Sequence, residues 1–563
     1  MYVVTVLPIA RNLQAEQLSY FSASKLEAGI LVRVPVRHGI IPAIVVSSTV
    51  ARDAKTAIKS SVFPLREVHN SSGISIFQHA FIEAAQRIAR FHAGTTGETI
   101  ASLIPKDILS CTEDIADMIP SDLPRTCIIA ATAEIARDIA NGFDPSSTVL
   151  ITNGLPKRRM LAACKRAQTD ATIQRIVMTP GFLFLPLPTI RDMIIHDPEH
   201  SAYVLRRRPY INTAHFAALY AKERAITITS MPPHATYQQG RKIEVVAMKL
   251  EADPRVSAAS IERLNRAAVT RERTLVFTLR RGLATQTICA DCATVVSCSD
   301  CGSSLILQTN AGTRIYRCRT CRIERTPTDA CARCGGWRLI ELGIAAEGLE
   351  AALKSRYPAR PIFRLDADNA PSEHAAREIV QSFEASADGI LVCTEIALGK
   401  IKAMVPVVIV GSLDSLLFVP DYRSSDRAMR LLTAASALCS RSLLVQTRIP
   451  DHPVFRFFSS GDRVGFAAWD AENRRRFSYP PYGVLIRLIG HRDNITALEQ
   501  ELSRYEPIVY DSLHANRNEL ALLIKMLPES WNAETNTYDN TIECALARLP
   551  RSVRAEVNPA SLQ

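Results

Sequence analysis

The chain has 563 residues, a formal net charge of +11 and a balance of 47% hydrophobic to 22% charged residues. That length exceeds one hydrophobic core and implies roughly three to five domains with an ordinary globular composition. No apolar run is long enough to span a bilayer, and Met1 to Pro8 lacks a basic patch ahead of an apolar core, so it reads as a strand and a cytoplasmic location is expected.

Residues 1 to about 110 read as a small mixed domain. Strand-like runs at Tyr2–Ile9, Ile30–Pro35 and Ile40–Ser47 precede an amphipathic helix near Ile76–Phe91. Short apolar strands then alternate with helical patterns at Thr126–Ala131, Ser147–Thr152, Thr172–Met178, Asp192–His196 and Ala225–Thr229. Such alternation predicts a parallel sheet with helices on both faces. After Gly240 it restarts with Lys242–Met248, Thr274–Thr278, Pro361–Leu365, Gly389–Cys393, Val405–Gly411 and Ser442–Thr447, which predicts a second α/β sheet. From about Phe455 a final small α+β domain is expected.

Eight of the 14 cysteines interrupt the second α/β pattern, as the pairs Cys289/Cys292, Cys298/Cys301, Cys318/Cys321 and Cys331/Cys334. Thiols three positions apart can both face one ion from a tight knuckle, and zinc takes four tetrahedral ligands, so four pairs make two closed sites. A closed four-sulfur site has no place for water and is structural. In a reducing compartment this pattern argues for metal and against disulfides; an iron–sulfur cluster and free thiols are the alternatives. Spacing leaves open which pairs share an ion. The segment from Cys301 to Cys318, with Leu305-Ile306-Leu307 and Arg314-Ile315-Tyr316, predicts a hairpin closing the second pair onto the third.

Much of the positive charge is arginine, including Arg206-Arg207-Arg208 and Arg474-Arg475-Arg476. Guanidinium forks suit phosphate, so a polyanionic partner competes evenly with a merely solubilising surface.

Several motifs resemble the PriA family of primosomal replication-restart proteins, superfamily 2 DNA helicases. Leu279-Arg280-Arg281-Gly282 leads into the cysteine array as "NRRG" does there. Tyr422-Arg423-Ser424-Ser425-Asp426-Arg427 with Leu431-Leu432-Thr433 is similar to "DFRAAER…LLT". Gln446-Thr447, Pro450-Asp451-His452-Pro453 and Tyr479-Pro480-Pro481-Tyr482-Gly483 resemble "QT..PDHP" and "YPPYG", and Val557-Asn558-Pro559 resembles "VDP". Gly29 with Val32-Arg33-Val34-Pro35 is similar to "PG..V.VP" of the family's 3′-end DNA-binding domain. The resemblance implies a multidomain α/β fold: an N-terminal DNA-binding-like domain (1–110), two RecA-like helicase lobes (111–241, and 242–288 continued at 335–454), a two-zinc insertion (289–334) and a C-terminal α+β domain (455–563). It also implies that Cys289, Cys292, Cys331 and Cys334 hold one zinc, and Cys298, Cys301, Cys318 and Cys321 the other.

The nucleotide machinery departs from the family. No G-x-x-x-x-G-K-[ST] string occurs. The nearest, Gly94-Thr-Thr-Gly97-Glu98-Thr99, puts an acid where a lysine must meet phosphate and reads as structural. About fifteen residues separate the first domain from the strand near Thr126, where the family's winged helix and phosphate loop belong, so the first lobe is expected to be truncated. "DEEH" stands as Asp197-Pro198-Glu199-His200, "GSATP" as Thr229-Ser230-Met231-Pro232, and "QVAGRAGR" as Ala434 to Arg441. "FDY" of the 3′-end pocket aligns with Leu18-Ser19-Tyr20, without its acid. The loop after His200 keeps Tyr203 and Tyr210 around Arg206–Arg208, where the family has an aromatic-rich DNA-contacting loop; these five are the candidate DNA contacts.

The expected function is a replication-restart scaffold that binds forked or single-stranded DNA and recruits primosome proteins, single-stranded-DNA-binding protein and the replicative helicase or its loader. ATP is not expected as a cofactor, nor catalytic residues, nor a membrane partner. The alternatives are an active ATP-dependent 3′–5′ helicase with an atypical nucleotide site, and a zinc-knuckle protein adaptor with no DNA role.

Overall fold

The computed structural model describes the chain apart from residues 12, 14, 37–38, 52–64, 72–76, 106–124, 186–189, 232–241, 249–255, 280–285, 418–420, 511–518 and 563, and, around the cysteines, 290–291, 293–295, 297, 299–304, 311–312, 319–322, 326–329, 332, 338 and 343–345. The chain divides into two compact units. The first comprises Met1–Pro233, Val484–Leu488 and Ile524–Ala560; the second comprises His234–Gly483, Ile489–Leu523 and Ser561–Gln563.

In the first unit, five strands form an N-terminal sheet ordered Leu18–Ser22, Tyr2–Pro8, Gly39–Val50, Leu31–Val36 and Asn70–Ser71, with antiparallel neighbours. Val4, Val6, Val32, Val34 and Val45 fill its core, as β-branched side chains do on a half-buried pleat. The Gly94–Thr99 string is structural. Thr95 caps the helix Thr96–Leu103 by accepting from the Glu98 amide at 3.2 Å. Gly97 sits against the chain at Pro8, where a Cβ would come within 1.9 Å of the carbonyl oxygen.

A second sheet in this unit is wholly parallel, in the order Thr227–Met231, Ile190–His196, Arg125–Ile129, Arg175–Met178, Thr148–Ile151. Parallel neighbours need crossovers, supplied by Ala133–Asn141, capped by Thr132, and Lys157–Thr169. The region expected to lack a winged helix and phosphate loop falls largely on residues 106–124, outside the described residues.

The same unit holds part of the C-terminal region. The Trp531 indole donates to the Phe91 carbonyl at 3.0 Å and Tyr538 donates to that of Arg87 at 3.2 Å. Arg90, on the helix His79–Phe91, forks onto Glu543 of the helix Asn540–Ala547.

The second unit is built on a six-stranded parallel sheet ordered Lys242–Ala247, Cys439–Thr447, Val405–Val410, Thr274–Phe277, Ile390–Cys393, Ile362–Leu365. Its central strands are buried on both faces and read as unbroken apolar runs: TLVF, ILVC and VPVVIV. The expected α/β class with two parallel sheets is therefore found. The cysteine segment leaves this sheet after Thr274–Phe277 and returns before the helix Ala346–Arg356.

Candidate metal centre and nucleic-acid contacts

The cysteine segment begins on the strand Gln286–Cys289, which pairs antiparallel with Leu339–Leu342 in a register that sets Cys289 opposite Leu339. This pairing closes the segment's two ends and brings its first and last cysteine pairs together. The Cys289 and Cys334 sulfurs lie 3.5 Å apart, and those of Cys292 and Cys331 3.6 Å apart. All four lie within 4.8 Å of one another. A disulfide would need about 2 Å. A tetrahedral ion with metal–sulfur bonds near 2.3 Å spaces its sulfurs about 3.8 Å apart, so the four residues fit a closed thiolate site.

Local backbone holds the last knuckle in shape. The Gly335 amide donates to the Cys331 carbonyl at 2.8 Å, and Gly335 takes φ +70°, which glycine adopts without Cβ strain. The Gly336 amide points at the Cys334 sulfur at 3.4 Å. An amide aimed at sulfur favours the thiolate that a metal requires.

The expected hairpin is present. Leu305–Asn310 pairs antiparallel with Thr313–Cys318, placing Leu305 opposite Cys318. The Leu305 amide donates to the Val296 carbonyl at 2.8 Å, and Cys298 and Cys318 are both buried in one small core with Leu305 and Tyr316. Cys301 and Cys321, their proposed companions, lie outside the described residues.

The candidate DNA-contacting loop separates its members. Tyr203 is fully buried, its hydroxyl donating towards the carbonyls of Ile129 (3.0 Å) and His196 (2.9 Å). It is a core residue and cannot offer its ring to a base, which corrects its assignment as a DNA contact. The reason is tertiary: the turn Ser201–Tyr203, capped by His200, folds the ring under the end of the parallel sheet. Beyond it the loop is pinched by the bridge Val204↔Asn212 and by the Leu205 amide donating to Ile211. Arg206 and Arg207 are exposed at its tip, while Arg208 and Tyr210 are half-buried. Arg208 lines a cleft of about 230 Å³ with Arg90, Glu98 and Trp531.

The segments around Asp197, Ala434–Arg441 and Gln446-Thr447 have defined structural surroundings. Asp197 is buried at φ +46° in a tight turn closed by the His200 amide on its carbonyl. Ala434 to Arg441 runs from the last turns of the helix Ser424–Leu438 into the strand Cys439–Thr447, with Arg441 ion-paired to Glu272. The Gln446-Thr447 motif is a buried network. Gln446 accepts from the Ser257 amide and the Ser260 hydroxyl at 3.1 and 2.8 Å, and Thr447 donates to Asp414 at 2.5 Å. Asp414, fully buried, also accepts from the Arg448 amide at 2.9 Å. Sequence reading missed Asp414, because only long-range packing brings it to a motif 33 residues away.

These features define a multidomain α/β protein whose second parallel sheet carries a closed four-cysteine site able to hold a metal ion. The chain is similar to replication restart protein PriA of several bacteria. It is 26% identical to the Thermotoga maritima protein over 343 residues, covering 56% of this chain and 46% of that one. With the Bacillus subtilis protein it shares 24% over 342 residues, covering 55% and 42%. With that of Treponema pallidum it shares 24% over 391 residues, covering 64% and 58%. The chain thus spans about half the length of the curated relatives it matches. No protein-family model matches it. A solved structure of RecG bound to a three-way DNA junction is similar at 11% identity, covering 76% of this chain and 49% of that one, with a TM-score of 0.31, too low to establish a shared fold. Among the described residues, no helix is long and apolar enough to cross a membrane.

Proposed function

We propose that the chain is a PriA-like DNA-binding protein that recognises stalled or abandoned replication forks and promotes restart by recruiting the replicative helicase, without unwinding DNA by ATP hydrolysis. The observation that carries this reading is the 24–27% identity with several replication restart proteins over about half the chain, in a sequence with no phosphate-binding G-x-x-x-x-G-K-[ST] string. The two parallel sheets act as RecA-like lobes that hold DNA. The cysteine insertion carries two structural zinc ions, the first on Cys289, Cys292, Cys331 and Cys334, the second on Cys298, Cys301, Cys318 and Cys321.

Arg206, Arg207 and Arg208 serve as phosphate contacts and Tyr210 as a base contact. Single-stranded-DNA-binding protein and the replicative helicase or its loader are the partners. The deciding experiment pairs fork binding with an ATPase assay on zinc-loaded protein. Tight fork binding with background hydrolysis supports the reading. DNA-stimulated turnover would establish a motor, and no DNA binding would leave a protein adaptor.

A further inference from the structure

Within the second unit, the helix Arg463–Arg476 ends in three arginines and runs directly into aromatic residues. The Tyr422 and Tyr479 rings lie 5.5 Å apart at 31°, and Tyr479 and Phe477 lie 6.0 Å apart at 37°. Three rings therefore stand in a tilted ladder. Its inner rung, Tyr422, is buried, whereas its outer rung, Phe477, is 51% exposed. The Arg476 guanidinium sits 5.6 Å from the Phe477 centroid, and that of Arg475 sits 4.6 Å from Tyr482.

A single exposed phenylalanine is ordinary, but this one extends a stack anchored in the core and is flanked by cations. The arginines divide into two kinds. Arg474 is largely buried and bound to Asp470 at 2.7 Å, so it supports the helix end. Arg475 pairs with Glu472 while both remain mostly exposed, a contact that water and salt weaken and a phosphate can displace. Arg476 is exposed. Planar faces beside exposed guanidinium groups match a ligand that carries flat rings and a negative charge at each repeat. An unpaired nucleic-acid strand has that chemistry; a duplex hides its ring faces, and an acidic peptide has none to stack.

We propose that Phe477, Tyr479 and Tyr482 with Arg475 and Arg476 form a seat for the unpaired strand of a DNA fork, bases stacking outward from Phe477 and phosphates meeting the two arginines. This rests on the DNA-binding reading above and adds a second contact surface, separate from the loop at Arg206–Tyr210.

The test is fluorescence anisotropy of the full chain with labelled oligothymidine and with a duplex of equal length. Phe477→Ala should weaken oligothymidine binding roughly 5- to 150-fold and leave duplex binding nearly unchanged. Phe477→Trp should restore or tighten it. Arg475→Glu together with Arg476→Glu should lower the log–log salt slope on the single strand by about 1.4, two contacts at about 0.7 each. Phe477 is exposed, so these variants should keep the wild-type circular dichroism and melting temperature. If wild type binds both DNAs and Phe477→Ala binds oligothymidine as tightly, the seat is refuted and the wider reading survives. If wild type binds neither, both fall.

Discussion

Cys289 and Cys334 are 45 residues apart in sequence, yet their sulfurs stand 3.5 Å from each other, too far for a disulfide and close to the edge of a thiolate tetrahedron. Elemental analysis of the purified chain should return about two zinc ions, and Cys334→Ser should lower this by about one. Because metal binding and folding of such a segment are coupled, the variant should also expose 286–342 to protease while the parallel sheets stay intact. One zinc in the wild type would remove the site that includes Cys298 and Cys318; an iron chromophore would replace zinc altogether.

ATP turnover should stay at background with or without forked DNA, since no lysine-bearing phosphate loop occurs in the chain. A coupled-enzyme assay decides this. Reproducible DNA-stimulated hydrolysis that Asp197→Ala abolishes would return Asp197 to a catalytic role and overturn the scaffold reading.

Fork affinity should fall steeply with salt, with a slope of about 0.9 per neutralised phosphate on duplex. Replacing Arg206, Arg207 and Arg208 by Ala should flatten that slope and weaken all sequences alike. Tyr210→Ala should cost about 1–3 kcal/mol on forked or single-stranded DNA and less on duplex. Tyr203→Ala should behave differently from all of these. It empties a fully buried site and should destabilise the first unit by about 3–5 kcal/mol in urea unfolding.

His92 gives the first unit a pH dependence. It is buried, its ring 5.1 Å from that of Phe91, its Nε2 accepts from the Asn212 amide at 3.4 Å, and its Nδ1 has no partner among the described residues. Burial first, and His215 second, push its pKa down to about 3. Below its ordinary value of about 6.5, the unfolded imidazole takes a proton that the folded one does not. The stability from His92 is thus fully present above about pH 6.5 and is lost as pH falls towards 3, at about 1.4 kcal/mol per unit. Urea titrations at pH 7, 5.5 and 4.5 should show this loss, and His92→Gln should show a shallower one. Equal slopes in both proteins would place the acid sensitivity elsewhere.

How much was legible in the sequence follows from the range of each interaction. The strands TLVF, ILVC and VPVVIV were readable because a central parallel strand buries every side chain in a short run. The cysteine pairs were readable because a knuckle is local, its two thiols only three positions apart. The sequence alone thus determined the element types, the four cysteine pairs of the insertion and the similarity to PriA.

Tertiary structure decided the rest. The strand pairing Cys289↔Leu339 chose which thiols meet, and the packing of Trp531 and Glu543 on the helix His79–Phe91 joined residues 440 and 453 positions apart. Tyr203 and Tyr210 look alike in sequence, seven positions apart beside the same arginines, yet one is sealed under the sheet and the other reaches the surface. Burial is set by what packs above a residue from distant chain, and no local spacing encodes that.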